Sequence, residues 1–201
     1  MYIPEYYKNQ DLNDVKAFLT TNSFGILINQ VDSKPWGTHI PLILDKDTDG
    51  NDILLGHISK ANEQLKDFNT NEEVLCIFHG PHSYISSSWY ADENVPTWNY
   101  IAVHVYGKLV KIEGDELLSS LTKLVDKYEA HVAHPVKVPE LSKKTMRQVN
   151  GIIAFKVIIT DIHAAKKLSQ NRDDHDYKNI IKELEKTGDF NSKQVALEMK
   201  K

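Results

Sequence analysis

Tyr100-Ile-Ala-Val-His-Val-Tyr-Gly-Lys-Leu-Val110 carries two alternating sets of side chains. Ile101, Val103 and Val105 share one face, and Ala102, His104 and Tyr106 share the other, because successive side chains of a strand point to opposite sides of a sheet. This is the clearest strand signal in the chain. Upstream of it, Phe24-Gly-Ile-Leu-Ile28, Thr38-His-Ile-Pro-Leu-Ile-Leu44, Ile53-Leu-Leu55 and Val74-Leu-Cys-Ile-Phe78 read as further strands. Asp32-Ser-Lys-Pro-Trp-Gly37 and Asp47-Thr-Asp-Gly-Asn51 read as turns. Pro41 has no N–H to offer a ladder, so its strand is expected at an edge or with a bulge. Downstream, residues 152–159 complete a set of six.

Helical spacing appears in fewer places. Leu12, Val15, Phe18 and Leu19 fall on one face of residues 11–19, with Asp11 placed to cap. Residues 59–67 read as a helix with a polar first turn, and Leu117, Leu118, Leu121, Leu124, Val125 and Tyr128 recur at helical spacing over 116–128. Two shorter helical patterns, 174–186 and 192–200, end the chain. Few strand pairs have a helical crossover between them, which argues against a doubly wound parallel sheet. The pattern implies an α+β, mainly β fold whose antiparallel strands close or half close into a barrel.

Composition narrows the function. With 201 residues and 41% hydrophobic content, the chain can bury a core without disulfides. Its single cysteine, Cys76, sits in an apolar strand and reads as an inert buried thiol. A net charge of −4 argues against a generally basic protein that coats DNA. The tail from Lys166 holds nine basic and seven acidic residues, whose alternating signs read as solvated helix faces. The start lacks a basic segment followed by an apolar run, and no stretch approaches the length of a membrane span. A cytoplasmic protein with no membrane partner is expected.

The chemistry concentrates between Gly56 and Tyr106. In Gly56-His-Ile-Ser-Lys-Ala-Asn-Glu-Gln64 a strand end opens a helix. Ser59 would cap it, the N–H groups of Ala61 and Asn62 would point outward, and Lys60 stands beside them. This is either an anion cradle or an ordinary capped helix. Seven aromatic residues (78, 84, 89, 90, 98, 100 and 106) fall between Phe78 and Tyr106. They suit a flat ligand, a subunit interface or a packed core alike. His79-Gly-Pro-His82 reads as a turn and His131-Val-Ala-His134 follows the long helix. Neither has the spacing of a helical zinc motif, so no metal is expected. Dinucleotide-binding glycine loops and nucleophile elbows are absent from the sequence, which leaves any catalytic residue unknown. Lys166-Lys-Leu-Ser-Gln-Asn-Arg172 is a polar run that could be linker or could reach a ligand or neighbouring subunit.

At these motifs the sequence resembles the PaiB-type family, FMN-binding negative transcriptional regulators linked to protease synthesis and sporulation. The likeness runs from Met1-Tyr-Ile-Pro4 through Thr38-His-Ile-Pro-Leu42, Gly56-His-Ile-Ser-Lys-Ala-Asn62 and Gly80-Pro-His-Ser-Tyr-Ile-Ser86. It continues through Ser88-Trp-Tyr90, Val95-Pro-Thr-Trp-Asn-Tyr100, Val105-Tyr-Gly-Lys108 and Lys167-Leu-Ser-Gln-Asn-Arg172. The resemblance implies an FMN-binding split β-barrel with peripheral helices that forms a homodimer, with flavin in the groove between subunits. It divides the chain into a barrel over 1–165 and a C-terminal helical extension over 166–201, packed on or swapped to the partner subunit. It places the flavin phosphate at His57, Ser59, Lys60 and Asn62, and the ring edge against His39 and Ile40. Trp98 and Asn99 would wall the pocket, with Ser169, Asn171 and Arg172 nearby. Relatives of pyridoxamine-phosphate oxidase type carry an Arg-Lys pair where this chain has Lys60 alone. The alternatives are a flavin-dependent oxidoreductase using external NAD(P)H, or a haem-binding protein of the same fold. The tail's helix–Gly turn–helix rhythm also admits DNA contact.

Overall fold

The computed structural model describes residues 1–65 and 72–201. Within them seven strands form one sheet: β1 (Phe24–Val31), β2 (Lys34–Pro41), β3 (Ile43–Lys46), β4 (Asp52–Ser59), β5 (Glu73–Ile85), β6 (Thr97–Ile112) and β7 (Ile152–Lys167). Their order is β2-β1-β5-β6-β7-β4-β3, and the pairing is antiparallel. The two edge strands, β2 and β3, are consecutive in the chain and separated only by Leu42. A sheet with its two edges joined through one residue must curl until those edges meet. The result is an antiparallel barrel left open between β2 and β3: the half-closed barrel of the strand pattern and the split barrel that the resemblance implied.

Several local expectations change. The single strand expected over 38–44 is two strands, because Pro41 lacks a ladder donor and the Leu42 N–H turns to Ser23 O at 2.7 Å. The turn expected over 32–37 contracts to Asp32-Ser33, both at positive φ (50° and 61°), as a two-residue hairpin of primed type requires. His79-Gly-Pro-His82 lies inside β5 and not in a turn. The helix expected over 59–67 is, in its described part, the end of β4 followed by a single 3-10 turn, Glu63–Leu65; residues 66 and 67 lie outside the described residues.

Among the described residues five α-helices accompany the sheet: α1 (Leu12–Thr21), α2 (Gly114–Glu129), α3 (Lys143–Met146), α4 (Asp174–Lys186) and α5 (Phe190–Met199). Asp11 accepts the Asn13 N–H at 2.8 Å and caps α1 as expected. Asp173 and Asp189 cap α4 and α5 in the same way. The chain divides into two compact units. One comprises Met1–Phe18, Phe78–His104 and His163–Lys201, the other Leu19–Ile77 and Val105–Ile162. In the first, Ile180, Leu184, Val195 and Met199 of the last two helices pack with Ile85, Tyr90, Ile101 and Leu168. In the second, Ile53, Leu55, Ile112 and Ala154 form a cluster against which Leu117 of α2 packs.

Two glycines allow the strands of the second unit to approach. A Cβ on Gly56 would lie 2.9 Å from Phe155 Cζ and 2.8 Å from Leu42 Cδ2. On Gly107 it would lie 2.4 Å from Ile158 O and 2.6 Å from Val157 Cγ1. Main chain cannot rotate out of the way, so Gly107→Ala is expected to cost about 1–3 kcal/mol. A lowered urea midpoint at unchanged m value is the readout; an unchanged midpoint would contradict the close approach.

Candidate functional site

The second unit holds a cleft of 460 Å³ formed where three chain segments end together. β4 delivers Lys60, β6 delivers Lys111 and Ile112, and the start of β7 delivers Ile152, Ile153 and Ala154. The register explains the meeting: Ser59 pairs with Ile152 and His57 with Ala154. The ladder is continued by the Lys60 N–H, which donates to Gly151 O at 2.8 Å. Gly114, Leu117 and Leu118 of α2 close one side, and Asn150 adds a side-chain amide. The N-cap of α2 is Glu113, whose side chain makes no capping hydrogen bond. The first N–H groups of a helix carry partial positive charge, so the cleft combines that terminus, two ammonium groups and the Glu113 carboxylate with a bed of Ile112, Leu117, Ile153 and Ala154. Glu116, in the first turn, is engaged by Lys156 at 2.8 Å.

The residues next to Lys60 do not form the cradle expected from the sequence. The Ala61 N–H donates to Ser59 Oγ at 3.2 Å and the Asn62 N–H to Ser59 O at 3.0 Å. Those donors close a tight turn, and the described residues after it form the 3-10 turn Glu63–Leu65. Asn62 gives its side-chain N–H to Thr38 Oγ1 at 2.9 Å, tying the turn to β2. On β2, Ile40 is buried and His39 is exposed, its ring 6.4 Å from that of Phe24. His57 is half-buried, and burial alone holds its imidazole below the usual histidine range. Lys111, Asn150 and the α2 start were not anticipated. The one signal for them was Glu113 at a helix start, where a capping Ser, Thr, Asn or Asp is the norm.

The remaining candidates lie in the first unit. Trp98 and Asn99 are neighbours on β6 and so face opposite sides of the sheet. Trp98 is 53% exposed and stands with Tyr84 (rings 6.0 Å apart, edge on) and His82 (6.2 Å) as an aromatic shelf. Asn99 is fully buried, donating to Ser169 Oγ at 2.9 Å and to Met199 Sδ at 3.7 Å. Ser169, at φ 60°, returns a bond to Asn99 Oδ1 at 3.1 Å. Arg172 lies over the Tyr90 ring, 4.5 Å from its centroid, and Asn171 is exposed. The polar run after β7 is thus partly structural: its serine is tied to Asn99 of β6, the residue that also donates to Met199 of α5.

Cys76 is buried, which pushes its thiol up to about 12 and removes it as a nucleophile at neutral pH. Asp173, His175 and Asp176 are the set of potential metal ligands whose atoms converge among the described residues. Asp173 is occupied in capping α4 and Asp176 accepts the Ala91 N–H at 2.9 Å. No helix among the described residues is long and apolar enough to cross a membrane.

Comparison with known proteins bears on these sites. The family described as "Putative FMN-binding domain" matches residues 1–161. The chain is 46% identical over 197 residues to the protease synthase and sporulation protein PAI 2 of Bacillus subtilis, covering 98% of this chain and 95% of that one. Among solved structures, an FAD and haem binding protein from Mycobacterium smegmatis superposes with a TM-score of 0.65 at 14% identity. It covers 86% of this chain and 78% of its own. The flavocytochrome Anf3 from Azotobacter vinelandii gives 0.61 at 16% identity, covering 88% and 78%. At these identities the two structures speak for the fold.

The histidine environments carry a pH expectation. Burial lowers His57, and burial with the positive N-terminus, His79 and His163 lowers His104. The unfolded chain takes up protons near pH 6.5 that the folded chain resists. Thermal stability should therefore hold above that pH, fall as pH drops through the folded values, and then level off. His57→Gln should remove part of the fall between pH 7 and pH 5 in a melting series; an unchanged slope would contradict the assignment.

Proposed function

The chain belongs to the FMN-binding domain family, and from that premise we propose that it binds flavin mononucleotide as a homodimer and acts as a negative transcriptional regulator of PaiB type. The observation that carries the flavin reading is the cleft at Lys60. Its volume falls in the range of small-molecule sites, and its lining sets apolar residues beside Lys60, Lys111, the Glu113 carboxylate and Asn150. Lys60, Lys111 and the uncapped start of α2 would hold the phosphate. Ile112, Leu117, Ile153 and Ala154 would bed the ring, and Asn150 would orient it through its amide. Lys111 fills the role of the second basic residue that the Lys60 segment lacks. Bound flavin supplies a reversible electron acceptor; the protein's part is to bind it, orient it and exclude water. The roles that the resemblance implies for His39, Ile40, His57, Ser59, Asn62, Trp98, Asn99, Ser169, Asn171 and Arg172 belong to the same proposal.

The homodimer is supported by α2. Its apolar face is incompletely covered within the chain, with Leu118 and Tyr128 exposed, and Val132 and Val136 follow exposed. A second copy offers that face a partner of the same kind. Light scattering should give about twice the 23.0 kDa of one chain. Regulation at DNA is supported by the family and by exposed basic residues on α4 and α5 (Lys178, Lys182, Lys193). A gel shift on the protein's own promoter region should weaken steeply with salt.

The cofactor proposal is tested by titrating FMN into the full chain. Wild type should bind with a shift of the flavin absorbance bands. Lys60→Ala and Lys111→Ala should each weaken binding by about tenfold or more, the scale of one charge-assisted hydrogen bond. Riboflavin, which has no phosphate, should bind more weakly and respond little to either substitution. Absence of any titration signal from the wild type would overturn the reading.

A further inference from the structure

We propose a second ligand site, in the first unit, where Lys167 and Arg172 bind the phosphate group of a small phosphate monoester. The observation behind it is a pair of half-buried cations over one short stretch of chain, neither with a counter-charge among the described residues. Lys167 Nζ donates to Thr97 Oγ1 at 2.5 Å, and Arg172 Nη2 reaches Asn94 Oδ1 at 3.5 Å. Lys167 stands over the Tyr7 ring, 5.6 Å from its centroid, as Arg172 does over that of Tyr90 at 4.5 Å. Aromatic faces hold cations in place without neutralising them. The run that carries both cations is itself fixed. Gln170 bonds to the Leu168 N–H and to Lys166 O at 2.7 and 2.6 Å, and the Arg172 N–H donates to Ser169 O at 3.0 Å.

The charges around the pair select the ligand. Among the described residues neither Lys167 nor Arg172 forms an ion pair, whereas the adjacent Lys166 is engaged by Asp14 at 3.1 Å and Glu198 at 3.6 Å. Asp173, next to Arg172, accepts the Asp176 N–H as the cap of α4. Burial, and after it the Arg172 charge, hold the Lys167 ammonium below the usual lysine range. Like charges gathered away from bulk water are costly, and a bound anion relieves that cost. Donors are also in surplus. The ammonium spends one N–H on Thr97, and the guanidinium makes a single long bond with its five. Asn94 Oδ1 accepts the Val95 N–H at 2.9 Å as well, which leaves its Nδ2 as a further, neutral donor. A phosphate monoester carries nearly two negative charges near neutral pH and balances both cations. A carboxylate or a phosphodiester, with one charge each, leaves the second cation uncompensated. None of these residues lines the Lys60 cleft, so the site does not rest on the flavin reading.

The test is an NMR titration of the full-length chain with phenyl phosphate, with dimethyl phosphate and acetate as comparisons at matched ionic strength. Saturable shifts of the Arg172 Nε–H and Asn94 side-chain amide signals are expected with phenyl phosphate, at an affinity at least about tenfold above that for either comparison. Asn94→Asp, at an exposed position, keeps the Oδ1 acceptor and turns the amide into a carboxylate beside both cations. It should bind at least about tenfold more weakly by the Arg172 signal, as should Lys167→Gln, with signal dispersion showing that each is folded. Lys60→Ala should match wild type at these signals, whatever its affinity for FMN, and one equivalent of FMN should leave the phenyl phosphate affinity unchanged. Absence of saturable shifts, equal affinity in folded Asn94→Asp, binding of dimethyl phosphate or acetate as tight as that of phenyl phosphate, or displacement by FMN would each overturn the proposal.

Discussion

The arrangement of the second unit depends on one steric allowance: Gly56 has no Cβ, so the Phe155 ring can lie across it from the paired position on β7. Leu42 reaches the same point from the single-residue joint between the two sheet edges. Phe155 and Leu42 are both fully buried, and each contributes about 1.5–3 kcal/mol through burial. That gain is available only where main chain and side chain can come this close. Gly107 makes the equivalent allowance between β6 and β7, where the Ile158 carbonyl occupies the space a Cβ would need. Together the two glycines draw β4, β7 and β6 into register, and this puts Lys60, Ile152 and Lys111 at one end of the sheet.

The electrostatics of that unit follow from where its strands stop. At the end where β4 finishes and α2 begins, two lysines outnumber the one carboxylate, Glu113, beside a helix start with no side-chain cap and an apolar bed. Near the β1–β2 hairpin, Asp32, Glu63 and Glu72 line another cavity. The signs are opposite, and neither cavity shares a lining residue with the other. A net charge of −4 conceals this separation, because a sum over the chain carries no information about position.

The strands and the terminal helices were legible because their signals are local. Alternation along β6 and the apolar stripe of α4 depend only on residues a few positions apart, and α4 occupies the expected span of 174–186. The segment after Gly56 was misread for a physical reason. Ser59-Lys-Ala-Asn62 has the residue types of a helix cap, but the Lys60 N–H is claimed by Gly151, some ninety positions away. That long-range bond extends the strand, and the donors expected to be free are then used in a turn. His79-Gly-Pro-His82 likewise carries turn residues but lies within β5. There Gly80 packs under Phe18, whose ring leaves no room for a Cβ.

By itself the sequence determined the fold class, most of the elements and the family, since periodicity, capping and ordered motifs need no tertiary information. It also singled out Lys60 as the cation of a candidate phosphate site. Only the tertiary structure decided what stands around that lysine. Lys111, Asn150 and the start of α2 are far from it in the chain, and they meet because β4 and β7 pair. The same holds for the buried oxygens of Asn29 and Gln64, which have no partner among the described residues. A carboxamide's chemistry is visible in the sequence, but whether its oxygen has a partner depends on which main-chain groups the fold brings to it.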